Sequence, residues 1–263
     1  MRKKILSILA AFVMALTGAV ATNVVAATPA TAEPATAAST PAAKPSAQSN
    51  CYTWNSTLRR GSSGAAVTQL QIRIAGWVGT GESLAIDGQF GPATEAALRR
   101  FQSGYGLQVD GIAGSETFGQ IYALQSADCT PIHFAYSEFN DNCGANNFSG
   151  GRVGAATAQE NTRRVMWQLE AMRKKLGDRP ITISSGFRSV SCNSSVGGSA
   201  TSRHMYGDSA DMGIVTNVHS QCTLYRAARN AGFTEILGPG YPNHNDHVHV
   251  ANGTGTFHRA PNC

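Results

Sequence analysis

The stretch NDHVHVANG, Asn245 to Gly253, decides how the second half of this 263-residue chain folds. Valines alternate with histidines, and a period of two is the period of a β-strand. One strand face carries Val248 and Val250 and belongs in a core. The other carries His247 and His249, with Asp246 and His244 just ahead in the chain. A second stretch, SRHMYGDSADMG, Ser202 to Gly213, offers these imidazoles a partner. His204 and Asp211 lie seven residues apart, which on one helix means about 10.5 Å of rise and no comfortable shared ion. Gly207 and Asp208 between them suggest a turn instead, so that a loop carrying His204 leads into a strand carrying Asp211.

Helices alternate with these strands. In TAQENTRRVMWQLEAMRKKLGDRP, Val165, Leu169, Met172 and Leu176 recur on one helical stripe, and Gly177 and Pro180 end the helix. TLYRAARNAGF reads as a second helix with Leu224, Ala228 and Ala231 inward, ending at Gly232. RPITISSGFRS alternates Ile181 and Ile183 with Thr182 and Ser184, which predicts a half-buried strand. Residues 130–263 are therefore expected to form an α+β domain, its Gly-, Ser- and Asn-rich segments serving as loops over a scaffold.

Imidazole and carboxylate together suit zinc, and three protein ligands with one open position is the catalytic arrangement rather than the structural one. Calcium, which prefers oxygen ligands throughout, suits the set poorly. Asp208 and His219 are read as structural, His133 and His258 as surface or packing residues.

Upstream, residues 51–129 have a different texture. DGQFGPAT, Asp87 to Thr94, echoes as DGIAGSET, Asp110 to Thr117: an Asp-Gly turn, a second Gly, then a helix start. Pro92 suits the first turn of one helix and Ser115 is expected to cap the other. Ala93, Ala97, Leu98 and Phe101 are predicted to share a buried stripe, and AAVTQLQIRIAG is read as a further helix holding Val67, Leu70, Ile72 and Ile74. This makes a small all-α bundle of three short helices. Taken singly, each Asp-Gly pair is ordinary turn chemistry.

Residues 1–27 have the layout of a secretory signal peptide: Arg2, Lys3 and Lys4, an apolar run, then small residues. Residues 28–50, almost all Ala, Thr, Pro and Ser, lack the apolar side chains that would offset the entropy of ordering and are expected to be a disordered spacer. The formal charge of +5 falls to +2 without the leader's three cations. No basic run with interleaved aromatics suggests nucleic acid, and no membrane contact is expected once the signal is removed. Six cysteines in an exported chain imply three disulfides. About fifteen connectivities are open; sequential pairing, Cys51–Cys129, Cys143–Cys192 and Cys222–Cys263, is the expectation.

Two resemblances sharpen this reading. LRRGSSGAAVTQLQ…DGQFGPATEAALRRFQ…GLQVDGIAGSETFGQI resembles the peptidoglycan-binding domain 1 family, which implies docking to bacterial cell wall. SSGFRS…NSSVGGSATSRHMYGDSADM…NDHVH, from about Cys143 to Cys263, resembles the zinc D-alanyl-D-alanine carboxypeptidases of peptidase family M15, relatives of lysostaphin-type peptidases and of the hedgehog fold. The resemblance is to the secreted, Streptomyces-type members. It implies a secreted or wall-associated monomer acting on peptidoglycan stem peptides, with one Zn2+ on His204, Asp211 and His249. It further implies that Asp246 acts as base and that Arg188 faces the substrate's carbonyl or carboxylate. Several relatives carry Glu at the Asp246 position. Asp reaches less far, so His247 is expected to share proton transfer, with His244 a further candidate. A crosslink endopeptidase, or a non-catalytic wall-binding protein with a structural metal, are the alternatives.

Overall fold

Helix α5, Ala155–Lys175, is where the two halves of the fold meet, and the computed structural model, which describes residues 51–140, 147–213 and 217–263, shows why. Val165, Met166, Leu169 and Met172 on one side enter a core built with the sheet. Trp167 and Ala171, on another side, enter the core of the N-terminal helices. The helix is thus buried along two stripes, and only the first is the one its aliphatic spacing marks out. Two of the polar side chains buried along it are paired: the Asn252 amide donates to Gln168 Oε1 at 2.8 Å, and His133 meets Glu170 at 2.9 Å. No helix among the described residues is long and apolar enough to cross a membrane.

The N-terminal helices are α1 (Ala65–Ile74), α2 (Pro92–Gly104) and α3 (Ser115–Ala123). The echo in the sequence becomes a repeated staple. Gln71 Nε2 donates to Asp87 Oδ1 (2.8 Å) and Thr94 Oγ1 (3.1 Å), while its Oε1 accepts the Gly88 N–H (2.8 Å). Gln102 repeats this on Asp110 (2.8 Å), Thr117 (3.3 Å) and Gly111 N–H (2.9 Å). Each buried glutamine closes one Asp-Gly turn onto one helix start. Val67, Leu70, Ile72 and Ile74 lie in helix α1, as expected, and all four are buried; Pro92 opens α2. Two expectations fail. Gly114 occupies the N-cap of α3, so Ser115 is the first helical residue and caps nothing. Ala93 is exposed in the first turn of α2, and Thr94 turns inward instead because it is the Gln71 partner.

The second half adds α4 (Tyr136–Phe139), α6 (Val190–Ser195), a single 3₁₀ turn at Arg203–Tyr206 and α7 (Gln221–Ala228). Its strands are β1 (Ser209–Gly213), β2 (Glu235–Leu237), β3 (His247–Ala251) and β4 (Phe257–Arg259), in the order β1-β3-β2-β4. β3 runs antiparallel to both β1 and β2, and β4 is parallel to β2. Ala210, Met212, Ile236, Val248 and Val250 form the core face, each fully buried. Burying a Val or Ile side chain contributes about 1.5–3 kcal/mol, so this alternation pins the register, and with it the polar face.

Ile181 and Ile183 do not lie in a ladder strand. Ser185 forms a lone bridge to Asp211, while Thr182 exchanges its backbone bonds with the Asn217 side-chain amide (2.8 and 2.9 Å). A side chain takes the place of the neighbouring strand. Cys51 pairs with Cys129 and Cys222 with Cys263, as expected. The signal peptide, the spacer and the Cys143–Cys192 pairing lie outside the described residues.

Candidate metal centre

The β3 register builds the centre of the site. Asp211 on β1 stands opposite His249 on β3, so both side chains leave the same face of the sheet. His204 arrives from the 3₁₀ turn, which Gly207 closes in a left-handed conformation (φ 71°) where a Cβ would run into the backbone of Ala158. The three side chains are buried. Asp211 Oδ1 lies 3.1 Å from His204 Nε2 and 2.8 Å from His249 Nδ1, and the two imidazole nitrogens are 3.2 Å apart.

The outer atoms of these side chains decide which lone pairs face inward. His204 Nδ1 donates to the Gly186 carbonyl at 2.5 Å, so Nε2 carries the lone pair. That carbonyl reaches the ring because Gly186 packs against the Phe139 backbone where no Cβ would fit. His249 Nε2 lies 3.2 Å from Glu235 Oε1, so Nδ1 faces the centre. Asp211 Oδ2 accepts from Arg188 at 2.8 Å, which leaves Oδ1 toward the imidazoles. Burial alone would raise the Asp211 carboxyl, but His204 and His249 hold it well below the usual carboxylate range. Burial pushes His204 down. It acts on His249 too, yet the hydrogen bonds to Asp211 and Glu235 prevail and bring that ring up to about 9.

This donor set fits zinc. Zinc bonds nitrogen and carboxylate oxygen at about 2.0–2.2 Å, so a tetrahedral ion spaces its ligand atoms about 3.3 Å apart. The observed separations of 2.8, 3.1 and 3.2 Å lie close to that. Two imidazole nitrogens turned toward one carboxylate oxygen also leave little room for protons, which a cation replaces.

The other expected residues gather at the rim. His247 Nε2 is 3.8 Å from Asp211 Oδ1, and its Nδ1 donates to Asp246 Oδ1 at 2.7 Å. Asp246 is largely exposed, with 82% of its side chain accessible, and stands behind His247. His244 donates Nδ1–H to the Pro242 carbonyl (2.7 Å), and its ring centre is 4.7 Å from that of His247 and 6.0 Å from that of His249. Arg188, expected to face substrate, grips Asp211 and Ser185 while 17% of its side chain stays accessible. Glu235 was missed. No spacing in FTEILG marks it, because its place depends on a strand pairing that the sequence does not show. Asp208 pairs with Arg203, the structural role expected of it.

Residues 132–251 match the Peptidase M15 family, and residues 63–121 match a putative peptidoglycan binding domain. The zinc D-Ala-D-Ala carboxypeptidase of Streptomyces albus G is 61% identical over 221 residues, 84% of this chain and 85% of its own. The spore cortex-lytic enzyme of Bacillus cereus is 46% identical over 65 residues, 24% of each chain. Among solved structures, the SleB N-terminal domain matches 27% of this chain and 94% of its own at 39% identity, with a TM-score of 0.24.

Proposed function

Because this chain belongs to the zinc D-Ala-D-Ala carboxypeptidase family of M15 peptidases, we propose that it is a zinc hydrolase. Its reaction is removal of the terminal D-alanine from peptidoglycan stem peptides. The observation that carries the reading is the meeting of His204, Asp211 and His249, whose donor atoms lie within 3.2 Å of their neighbours. These three would hold the ion. Zinc held there supplies Lewis acidity, polarising the scissile carbonyl and lowering the pKa of a water toward about 7.

The chain's own residues supply the rest. His247 takes the attacking water's proton at Nε2, because Nδ1 is already committed to Asp246. It returns that proton to the leaving D-alanine amine. Asp246 orients the ring and stabilises it while charged, and His244 supplies a second neutral imidazole at the mouth. Arg188 keeps the Asp211 carboxylate aimed, and its accessible edge suits an anionic oxygen of the substrate. The N-terminal module holds the enzyme to peptidoglycan, outside the cell, and the protein acts as a monomer.

The test is product analysis of a D-Ala-D-Ala-ending stem peptide and of crosslinked wall fragments, each incubated with zinc-loaded protein. Free D-alanine from the linear peptide is expected. Cleavage of the crosslinked fragment alone would overturn the carboxypeptidase assignment in favour of an endopeptidase.

A further inference from the structure

β2 brings one more ionisable group to the face that carries the three donors. In the β2–β3 ladder Leu237 stands opposite His249, and Glu235 opposite Ala251. Residues two apart on a strand share a face, so Glu235 is the diagonal neighbour of His249. Diagonal partners lie about 7–8 Å apart, a gap that long side chains span. Here it is spanned: Glu235 Oε1 is 3.2 Å from His249 Nε2, the ring nitrogen turned away from Asp211.

We propose that Glu235 is a positioning residue for the metal centre, accepting the His249 Nε2–H so that the Nδ1 lone pair is the one presented to the ion. This rests on the reading of His204, Asp211 and His249 as the ligand set. The two histidines use opposite nitrogens, and each has its own acceptor. His204 leans on a neutral carbonyl, that of Gly186. His249 leans on a carboxylate, that of Glu235. The difference has a consequence. A carbonyl only orients a ring, whereas a carboxylate also raises the basicity of the far nitrogen and tightens its hold on a cation. Strand pairing does not need this contact, since β2 and β3 are joined by their backbones. With 30% of the Glu235 side chain accessible, the group can be changed without opening a core cavity.

The experiment is zinc affinity by competition with a chromophoric chelator, for the wild type, Glu235→Ala, Glu235→Gln and a His204→Ala control. Apo-protein melting temperature, kcat and KM accompany it. A partner of this kind is worth about 10–100-fold in metal affinity, so Glu235→Ala is expected to bind zinc weaker by that factor. Glu235→Gln, which keeps an acceptor oxygen without the charge, is expected to fall between. The apo melting temperature and KM stay at wild-type values. If both Glu235 variants bind zinc as tightly as wild type while His204→Ala does not, the positioning role is wrong and the ligand set stands. If His204→Ala also binds like wild type, the ligand set is wrong and the positioning role falls with it.

Discussion

His247 and Asp246 are adjacent in the chain, yet one ring nitrogen of His247 faces the metal centre while Asp246 stands mostly in solvent. Their contributions should therefore differ. General acid–base groups are worth about 10²–10⁴ in rate. His247→Ala is expected to lose kcat in that range and Asp246→Ala to lose less, both retaining one zinc by metal analysis. Equal loss of zinc and of kcat in His247→Ala would make it a ligand instead. His244 gives a pH signature. Burial holds its ring below the ordinary imidazole value, so only acidification places its positive charge beside His247, 4.7 Å away between ring centres, where it opposes proton uptake. The acid limb of kcat/KM is expected below about 6.5, the unperturbed histidine value, and it should move when His244 is replaced by Gln. At this scale the meeting of His204, Asp211 and His249 is legible through the resemblance, because the stretches that carry it, SRHMYGDSADM and NDHVH, are local patterns. Glu235 is illegible for the complementary reason. Its partner lies on another strand, and only the register places them diagonally.

At the scale of elements, the duplicated staple is the clearest case of sequence becoming structure. Gln71 and Gln102 are both buried, and each serves one Asp-Gly turn. Replacing one by Leu leaves a buried glycine N–H without its acceptor, at a cost of about 1–3 kcal/mol. Gln102→Leu is expected to lower stability by that amount in urea unfolding, with the slope unchanged. A value indistinguishable from wild type would reduce the staple to incidental contact. The Asp-Gly echo was readable; the glutamines that serve it were not, since each lies in the preceding helix. The missing strand at Ile181 and Ile183 teaches the same lesson. Alternation alone predicts a strand, but Thr182 takes its hydrogen bonds from the Asn217 side chain, and no pattern within RPITISSGFRS announces that.

On the scale of the whole molecule, the wall-binding module is built onto the catalytic scaffold. Trp167 and Ala171 of α5 sit in the N-terminal core. Arg73 of α1 lies 5.1 Å from the Trp54 ring and 5.7 Å from the Trp167 ring, its guanidinium also bonded to Gln125. The sequence marks only the aliphatic stripe of α5, because the use of its other side depends on what packs there. Removing a buried Trp costs about 3–5 kcal/mol, and Trp167→Ala is expected to lower one shared unfolding transition in scanning calorimetry. Two separate transitions in the wild type would show the halves to be independent. The most direct test of the account as a whole is D-alanine release from an N-acylated peptide ending in D-Ala-D-Ala, before and after chelation and again after zinc is restored. Release that a chelator abolishes and zinc returns is the expected result. Release that survives complete removal of zinc, or none from the intact zinc-loaded protein, would contradict the assignment.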